Sequence, residues 1–343
     1  MKVMDFRSDT VTLPTESMLK EMVKAPLGDD VYGDDETVNR LEALAAEVMG
    51  KEAALLVPSG TMGNLIAVMA HTIPGQEIIL EESSHIYLYE VAGIARVAGV
   101  QARTLKGENG ALRVEDIEAA IRVDNIHFPE TGLICQENTH NMGGGVAIPL
   151  EKMEAIYKLG KARNIPLHLD GARIFNAAEA LAVNVKDIAQ YVDSVMFCLS
   201  KGLCAPIGSL LVGDKAFIAK ARKFRKMLGG GMRQAGIIAA AGIVALEEQS
   251  KRLHEDHSNA VLLAEKLSEI PGVKVDLSTV HSNIINVDFY DTGISIPNLV
   301  NKMRERGILV NGRNNRLIRF VTHNGVTKYD VLEAVEVIKQ ICE

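Results

Sequence analysis

Pro166-Leu-His-Leu-Asp170-Gly-Ala-Arg173 and Ser194-Val-Met-Phe-Cys-Leu-Ser200-Lys201-Gly202 are two short apolar runs, each ending in reactive side chains. Polar residues or glycine bound each run, and a helix-like segment separates them. This pattern predicts two buried strands of a parallel sheet. In such sheets ligands sit beyond the carboxyl ends of the strands. Asp170 and Lys201 are therefore expected at the mouth of one crevice.

An acid and an amine so placed suit pyridoxal phosphate. That cofactor needs a lysine to hold its aldehyde as a Schiff base, and a carboxylate to keep its ring nitrogen protonated. A lysine after a strand is otherwise an ordinary solvated residue, so the rest of the chain must supply the context.

The 343 residues exceed the usual size of one core, which predicts a large and a smaller domain. A net charge of −7 gives nucleic acid no electrostatic reason to bind. Cys135, Cys198, Cys204 and Cys342 lack zinc-ligand spacing and disulfide density, as expected of reduced thiols in a cytoplasmic protein, and no metal site is predicted. The charged start, with Asp5, Arg7 and Asp9, does not read as a signal peptide. No apolar run approaches the ~18 residues of a membrane span.

Residues 1–20 read as an N-terminal arm, 21–249 as the large domain and 250–343 as a small α+β domain. Gly28-Asp-Asp-Val-Tyr32-Gly reads as a loop, with Tyr32 either its anchor or part of a neighbouring site. Ala53–Val57 reads as a strand. Pro58-Ser59-Gly60-Thr61-Met-Gly63 then turns into a helix over 65–70, offering N–H groups and hydroxyls to an anion. The turn lacks the Gly-Lys-Ser/Thr ending of a nucleotide loop, so a cofactor phosphate fits better than ATP.

Further strands are expected at 77–80, 100–104, 132–137 and 208–212. His85 leaves the first of these, before a helix carrying Tyr87, Tyr89 and Val91. It either stacks on a ring, handles a proton or caps that helix. His127 lies in the loop before 132–137. Gly229-Gly-Gly-Met-Arg233 suggests close backbone approach, as at a subunit boundary, with Arg233 meeting a phosphate or a surface acid. Arg319, mid-strand among apolar neighbours, needs a partner such as a substrate carboxylate.

Taken together, Phe6-Arg-Ser-Asp-Thr-Val-Thr, Gly28-Asp-Asp-Val-Tyr-Gly, Pro58-Ser-Gly-Thr-Met-Gly-Asn, Ser84-His, Glu137-Asn-Thr-His, His168-Leu-Asp-Gly-Ala-Arg-Ile-Phe-Asn, Leu199-Ser-Lys-Gly-Leu and Gly230-Gly-Met-Arg-Gln-Ala-Gly resemble the low-specificity L-threonine aldolases. These are fold type I (aspartate aminotransferase-like) pyridoxal-phosphate enzymes. The resemblance implies an α/β large domain with a mostly parallel seven-stranded sheet. It implies retro-aldol cleavage of threonine or allo-threonine to glycine and acetaldehyde.

By the same resemblance, Lys201 is the Schiff-base lysine, Asp170 the partner of the ring nitrogen and His85 the stacking residue. Ser59, Gly60, Thr61 and Arg233 hold the phosphate. Ser8, Arg173 and Arg319 grip the substrate carboxylate, with Tyr89 also in the substrate set and Arg173 also in the cofactor set. His127 sits near the β-hydroxyl. Tyr32 serves a neighbouring subunit in a tetramer built from dimers. The alternatives are another fold type I enzyme, either a β-eliminating lyase or a transaminase, a cofactor-binding module without catalysis, and a nucleotide-binding regulator using Ser59 to Gly63.

Overall fold

The computed structural model describes residues 2–343. In chain order the elements are β1 (Met4–Asp5), α1 (Glu16–Lys24), α2 (Glu36–Met49), β2 (Ala53–Val57), α3 (Gly60–His71), β3 (Glu77–Glu81), α4 (His85–Leu88), β4 (Gln101–Leu105), α5 (Val114–Ala120), β5 (Thr131–Glu137) and α6 (Leu150–Arg163). There follow β6 (Leu167–Asp170), α7 (Ile174–Leu181), α8 (Val185–Ala189), β7 (Ser194–Cys198), β8 (Ser209–Gly213), α9 (Lys215–Met227), α10 (Gly236–Glu247) and α11 (Leu253–Ser268). The chain ends with β9 (Lys274–Val275), β10 (Ile284–Asp288), α12 (Ile296–Glu305), β11 (Ile308–Leu309), β12 (Asn311–Gly312), β13 (Leu317–Val321) and α13 (Lys328–Cys342).

Seven strands form the central sheet in the order β2-β8-β7-β6-β5-β3-β4. Only β8 runs against its neighbours; the other pairs are parallel. The sheet interior is apolar on both faces, as strands covered on both sides require. Register sets Asp170 beside Met196 on β7, so the carboxyl ends of β6 and β7 open at the same edge.

Two helix predictions change. The helix expected over 65–70 begins at Gly60, because Ser59 accepts a bond from Met62 N (3.2 Å) and caps it. The Gly/Ser/Thr turn is thus the first turn of α3 itself. The helix expected to carry Tyr89 and Val91 stops at Leu88. Val91 and Ala92 take φ of 53° and 54°, left-handed values that are strained for a β-branched residue, and they turn the chain away from the helix axis.

The smaller core gathers β10 and β13 of an antiparallel sheet, ordered β12-β13-β10-β9, under α11, α12 and α13. The N-terminal arm joins this core. β1 pairs with β11 in parallel, and Phe6 meets the edge of Phe320 at 5.9 Å. α1 runs through residue 20 and packs on α10. α11 bridges the two bodies, since Leu253 belongs to the large core and Ala260 to the small one. Among the described residues no helix is long and apolar enough to cross a membrane.

Candidate active site

Lys201 stands three residues past β7 on a turn that the N-terminal arm fixes. Its carbonyl accepts from Thr12 Oγ1 (2.8 Å) and from Cys204 N (2.9 Å). Asp170 ends β6, only 2% exposed. Its Oδ1 accepts from Ala172 N (3.1 Å) and its Oδ2 from Asn64 Nδ2 (2.9 Å), both neutral donors. Among the described residues, neither Lys201 nor Asp170 has an opposite charge at ion-pair distance.

A cavity of about 370 Å³ at this edge is lined by Ser8, His85, Tyr89, Arg173, Lys201 and Arg319, together with Asn141, Asn311 and Arg313. Asp170 lies beneath it, since its carboxylate, the His85 imidazole and the Glu90 carboxylate offer atoms all within 4.8 Å of one another. Several lone pairs in this cluster already face donors, although Glu90 Oε2 has no partner among the described residues. Asn64 Nδ2 donates to both Glu90 (2.8 Å) and Asp170, and His85 Nδ1 meets Glu90 Oε1 at 2.9 Å.

The arginines give the cavity its sign. Arg173 donates through Nε and Nη2 to Asp9 (2.8 and 2.6 Å), so this edge of its guanidinium is committed within the chain. Burial pushes the Asp9 carboxyl up, but the Arg173 charge and bonds outweigh it and hold Asp9 far below the usual range. Arg319 donates to Asn141 Oδ1 (2.8 Å) and to the Arg7 carbonyl (3.1 Å). Burial first, and then Arg173 and Arg313, push it down to about 10. Arg313 donates to the carbonyls of Met142 (2.8 Å) and Asn141 (2.7 Å). Of the three guanidiniums on the cavity wall, Arg173 alone bonds a carboxylate, while Arg313 and Arg319 donate to neutral oxygens, so the cavity suits a ligand anion.

Some expected residues lie elsewhere. His127 is exposed, on a loop that leads to Thr131 at the amino-terminal edge of the sheet, and neighbours Asn125 and Phe128 line a separate groove. A histidine there cannot reach Lys201 of its own chain, because the sheet intervenes. Arg233 is held by Asp29 (2.9 Å), and Tyr32 is 77% exposed; neither lines the chain's own cavity. The two are nevertheless neighbours, since Asp30 N donates to the Arg233 carbonyl (3.0 Å). Arg173, expected to serve both cofactor and substrate, is first the partner of Asp9.

Ser59, Gly60 and Thr61 form the start of α3 directly against β7. A Cβ at Gly60 would stand 3.0 Å from Cys198 Sγ, and one at Gly63 would stand 2.7 Å from Met196 Cγ. These glycines let the helix N-terminus approach the strand that leads to Lys201. A pyridine ring with an aldehyde and a phosphate fits the set. An unpaired amine, a buried carboxylate lacking a cation, and a capped helix N-terminus meet at one strand edge.

The sequence pattern of the family described as beta-eliminating lyase matches residues 5–289. The chain belongs to that family. Within it, the low-specificity L-threonine aldolase 1 of Arabidopsis thaliana is 47% identical over 336 residues, covering 96% of this chain and 94% of the relative. The low specificity L-threonine aldolase of Escherichia coli K12 is 43% identical over 332 residues, covering 96% and 97%. The solved threonine aldolase of Leishmania major superposes with a TM-score of 0.85 at 21% identity, covering 99% of each chain, which shows the same fold. That fold is the type I architecture of pyridoxal-phosphate enzymes, and its family is one of lyases.

Within this family member, Asp9, Asn64, Glu90, Asn141 and Arg313 shape the site without having been singled out from sequence. Asn64 ends the quoted Pro58–Asn64 motif one turn past Gly60, where an inward side chain can reach β6. Asp9 sits in a motif read only as a polar arm. Glu90 and Arg313 carry no periodic signal, since both stand in irregular chain.

Proposed function

We propose that this chain cleaves L-threonine and L-allo-threonine to glycine and acetaldehyde with pyridoxal phosphate. The observation that carries this is the pairing of an uncompensated Lys201 and Asp170 with a cavity whose arginines outnumber its acids. The cofactor, when bound, supplies an electron-accepting ring for the bond that breaks. Lys201 is the residue to hold its aldehyde, Asp170 its ring nitrogen, and Ser59, Gly60 and Thr61 its phosphate.

Arg319 and the free edge of Arg173, with Ser8, take the substrate carboxylate. A carboxylate fixed at two guanidiniums sets the rotation about the amino acid's Cα, and with it which bond faces the ring. His85 stands over the buried acids and takes the β-hydroxyl proton at Nε2, which has no partner among the described residues. Loss of that proton opens the Cα–Cβ bond, whose electron pair stays with Cα; the aldehyde leaves, and a proton taken up at Cα completes glycine. Tyr32 and Arg233 are exposed side by side beside the α3 turn, which supports a homo-oligomer in which they complete a second protomer's cavity.

The test is product analysis with each threonine diastereomer. Glycine and acetaldehyde in equal amounts support the proposal. A ketoacid in their place identifies a β-eliminating lyase instead and overturns it.

A further inference from the structure

Glu90 is a buried carboxylate that the mechanism above leaves without a task. It is 4% exposed, follows α4, and precedes two residues in left-handed conformation. Its Oε1 meets both His85 Nδ1 (2.9 Å) and Asn64 Nδ2 (2.8 Å), while its Oε2 has no partner. Strained backbone of this kind persists only where surrounding contacts hold it. Next to that turn, the Glu90 side chain meets the imidazole of His85.

The donors in this cluster can be assigned by elimination. Asn64 has two amide hydrogens, aimed at Glu90 and Asp170, so its Oδ1 must accept. The group it faces is His168 Nε2 at 3.1 Å. His168 is fully buried, and burial pushes it down to about 3, so it is neutral with its proton on Nε2. Its Nδ1 then accepts from Ser194 Oγ (2.9 Å). His168 thereby fixes which way the Asn64 amide points. Asn64 in turn presents hydrogens, never oxygen, to Glu90 and Asp170. With one lone pair of Oε1 so occupied, the same oxygen still accepts the Nδ1 proton of His85.

We infer that Glu90 is a positioning residue for His85: it holds the imidazole proton on Nδ1, leaving Nε2 as the basic nitrogen on the cavity side. The Asn64–His168 pair keeps Glu90 in the orientation that does this. A carboxylate behind a histidine fixes its tautomer and stabilises the imidazolium that forms when the other nitrogen takes a proton. The inference rests on the aldol proposal only for the identity of the proton that Nε2 receives.

Other groups also face His85. Asp170 on β6 and Glu90 favour its charged form, Lys201 after β7 disfavours it, and burial opposes the charge most strongly; the balance lies above the ordinary imidazole value. Glu137 on β5 accepts from the His85 backbone N (2.7 Å). Tyr89 stands with its ring centroid at 5.6 Å. Arg173, Arg313 and Arg319 share the cavity wall.

The test uses the cofactor-loaded protein labelled with ¹⁵N-histidine, with His85→Asn identifying the His85 signals. In the wild-type protein the neutral His85 ring should carry its proton on Nδ1; a proton on Nε2 instead overturns the inference without any variant. In Glu90→Gln the His85 midpoint should move down by about one pH unit or more, the scale of one lost neighbouring charge. The acid limb of kcat/KM should move down with it, and kcat should fall by about 10²-fold, the low end of the general acid-base scale. An unmoved His85 midpoint and an unmoved acid limb overturn the inference. If the tautomer and midpoint behave as expected but threonine is not cleaved, the aldol proposal fails and the positioning role stands.

Discussion

At the scale of single residues, the site works by leaving charges without partners. Among the described residues Lys201 has no carboxylate and Asp170 no cation at ion-pair distance, although Asp170 is buried. A buried acid served only by neutral donors is expensive unless a ligand supplies the missing charge. Lys201→Ala should therefore bind added pyridoxal phosphate without the visible Schiff-base absorption, and borohydride should attach no label to it. A reducible chromophore in that variant removes Lys201 from its role. Asp170→Asn can still accept one bond from Asn64 or Ala172 but cannot supply the negative charge. Its turnover should fall by about 10²- to 10³-fold, the scale of losing one preorganised electrostatic contact, and a near-normal kcat in steady-state assays contradicts this.

Arg319 makes the same argument from the opposite sign. Its two bonds go to an amide oxygen and a carbonyl, which leaves its charge for a ligand. Arg319→Leu should raise KM for threonine by about 10- to 100-fold, since bonds to charged groups contribute roughly 1.5–3 kcal/mol. The pairing of Arg173 with Asp9 could not be seen in the same way. The two residues are 164 positions apart, and sequence spacing says nothing about which acid an arginine meets.

At the scale of elements, the short apolar strands were legible because glycine and polar residues punctuate them. Five of the seven central strands fall within about one residue of the predicted boundaries, while the two opening runs extend about three and four residues past β6 and β7. The direction of β8 was not legible, since an apolar run reads the same both ways. Nor was the early stop of α4, because Tyr89, Glu90 and Val91 are acceptable helix residues and only burial of Glu90 beneath His85 pulls the chain out of the helix. His127 failed for a related reason: a histidine's place in a loop does not say which edge of the sheet the loop borders.

Glu137, at the end of β5, joins two of these elements. Its buried carboxylate accepts from His85 N (2.7 Å) at the start of α4 and from Asn141 N (2.8 Å) in the loop that meets Arg319. One side chain therefore anchors both the proton-handling and the carboxylate-binding sides of the cavity. In Glu137→Gln the amide can accept these donors at only one oxygen, and the other backbone N–H faces an NH₂ group. Both kcat and KM should worsen together, and urea unfolding should show a loss of about 1–3 kcal/mol, the cost of one unsatisfied buried donor. A change in kcat alone means that Arg319 does not depend on this anchor.

At the scale of the whole molecule, the cavity is assembled from parts that belong to different cores. The N-terminal arm packs its Phe6 in the small core while Asp9 pairs with Arg173 and Thr12 bonds Lys201 in the large one. Loss of either core should thus disassemble the site, and acid acts on the large core through a buried histidine. His168 lies under the sheet edge between Ser194 and Asn64, and its folded pKa is about 3 against an ordinary 6.5. A histidine depressed on folding contributes its full stability above the unfolded pKa and loses it as pH falls toward the folded value. The window is therefore from about 6.5 down to about 3, with a slope approaching 1.4 kcal/mol per pH unit from this group once the unfolded chain is protonated. Urea midpoints followed by far-UV circular dichroism should fall steadily from pH 7 to pH 4.5. In His168→Asn the protein starts less stable, having lost a bond to Asn64 or Ser194, but its midpoint should depend less steeply on pH across that range. Equal slopes in the two proteins mean that burial does not depress His168; a protonated ring also donates at Nε2, so the orientation of Asn64 stands in either case.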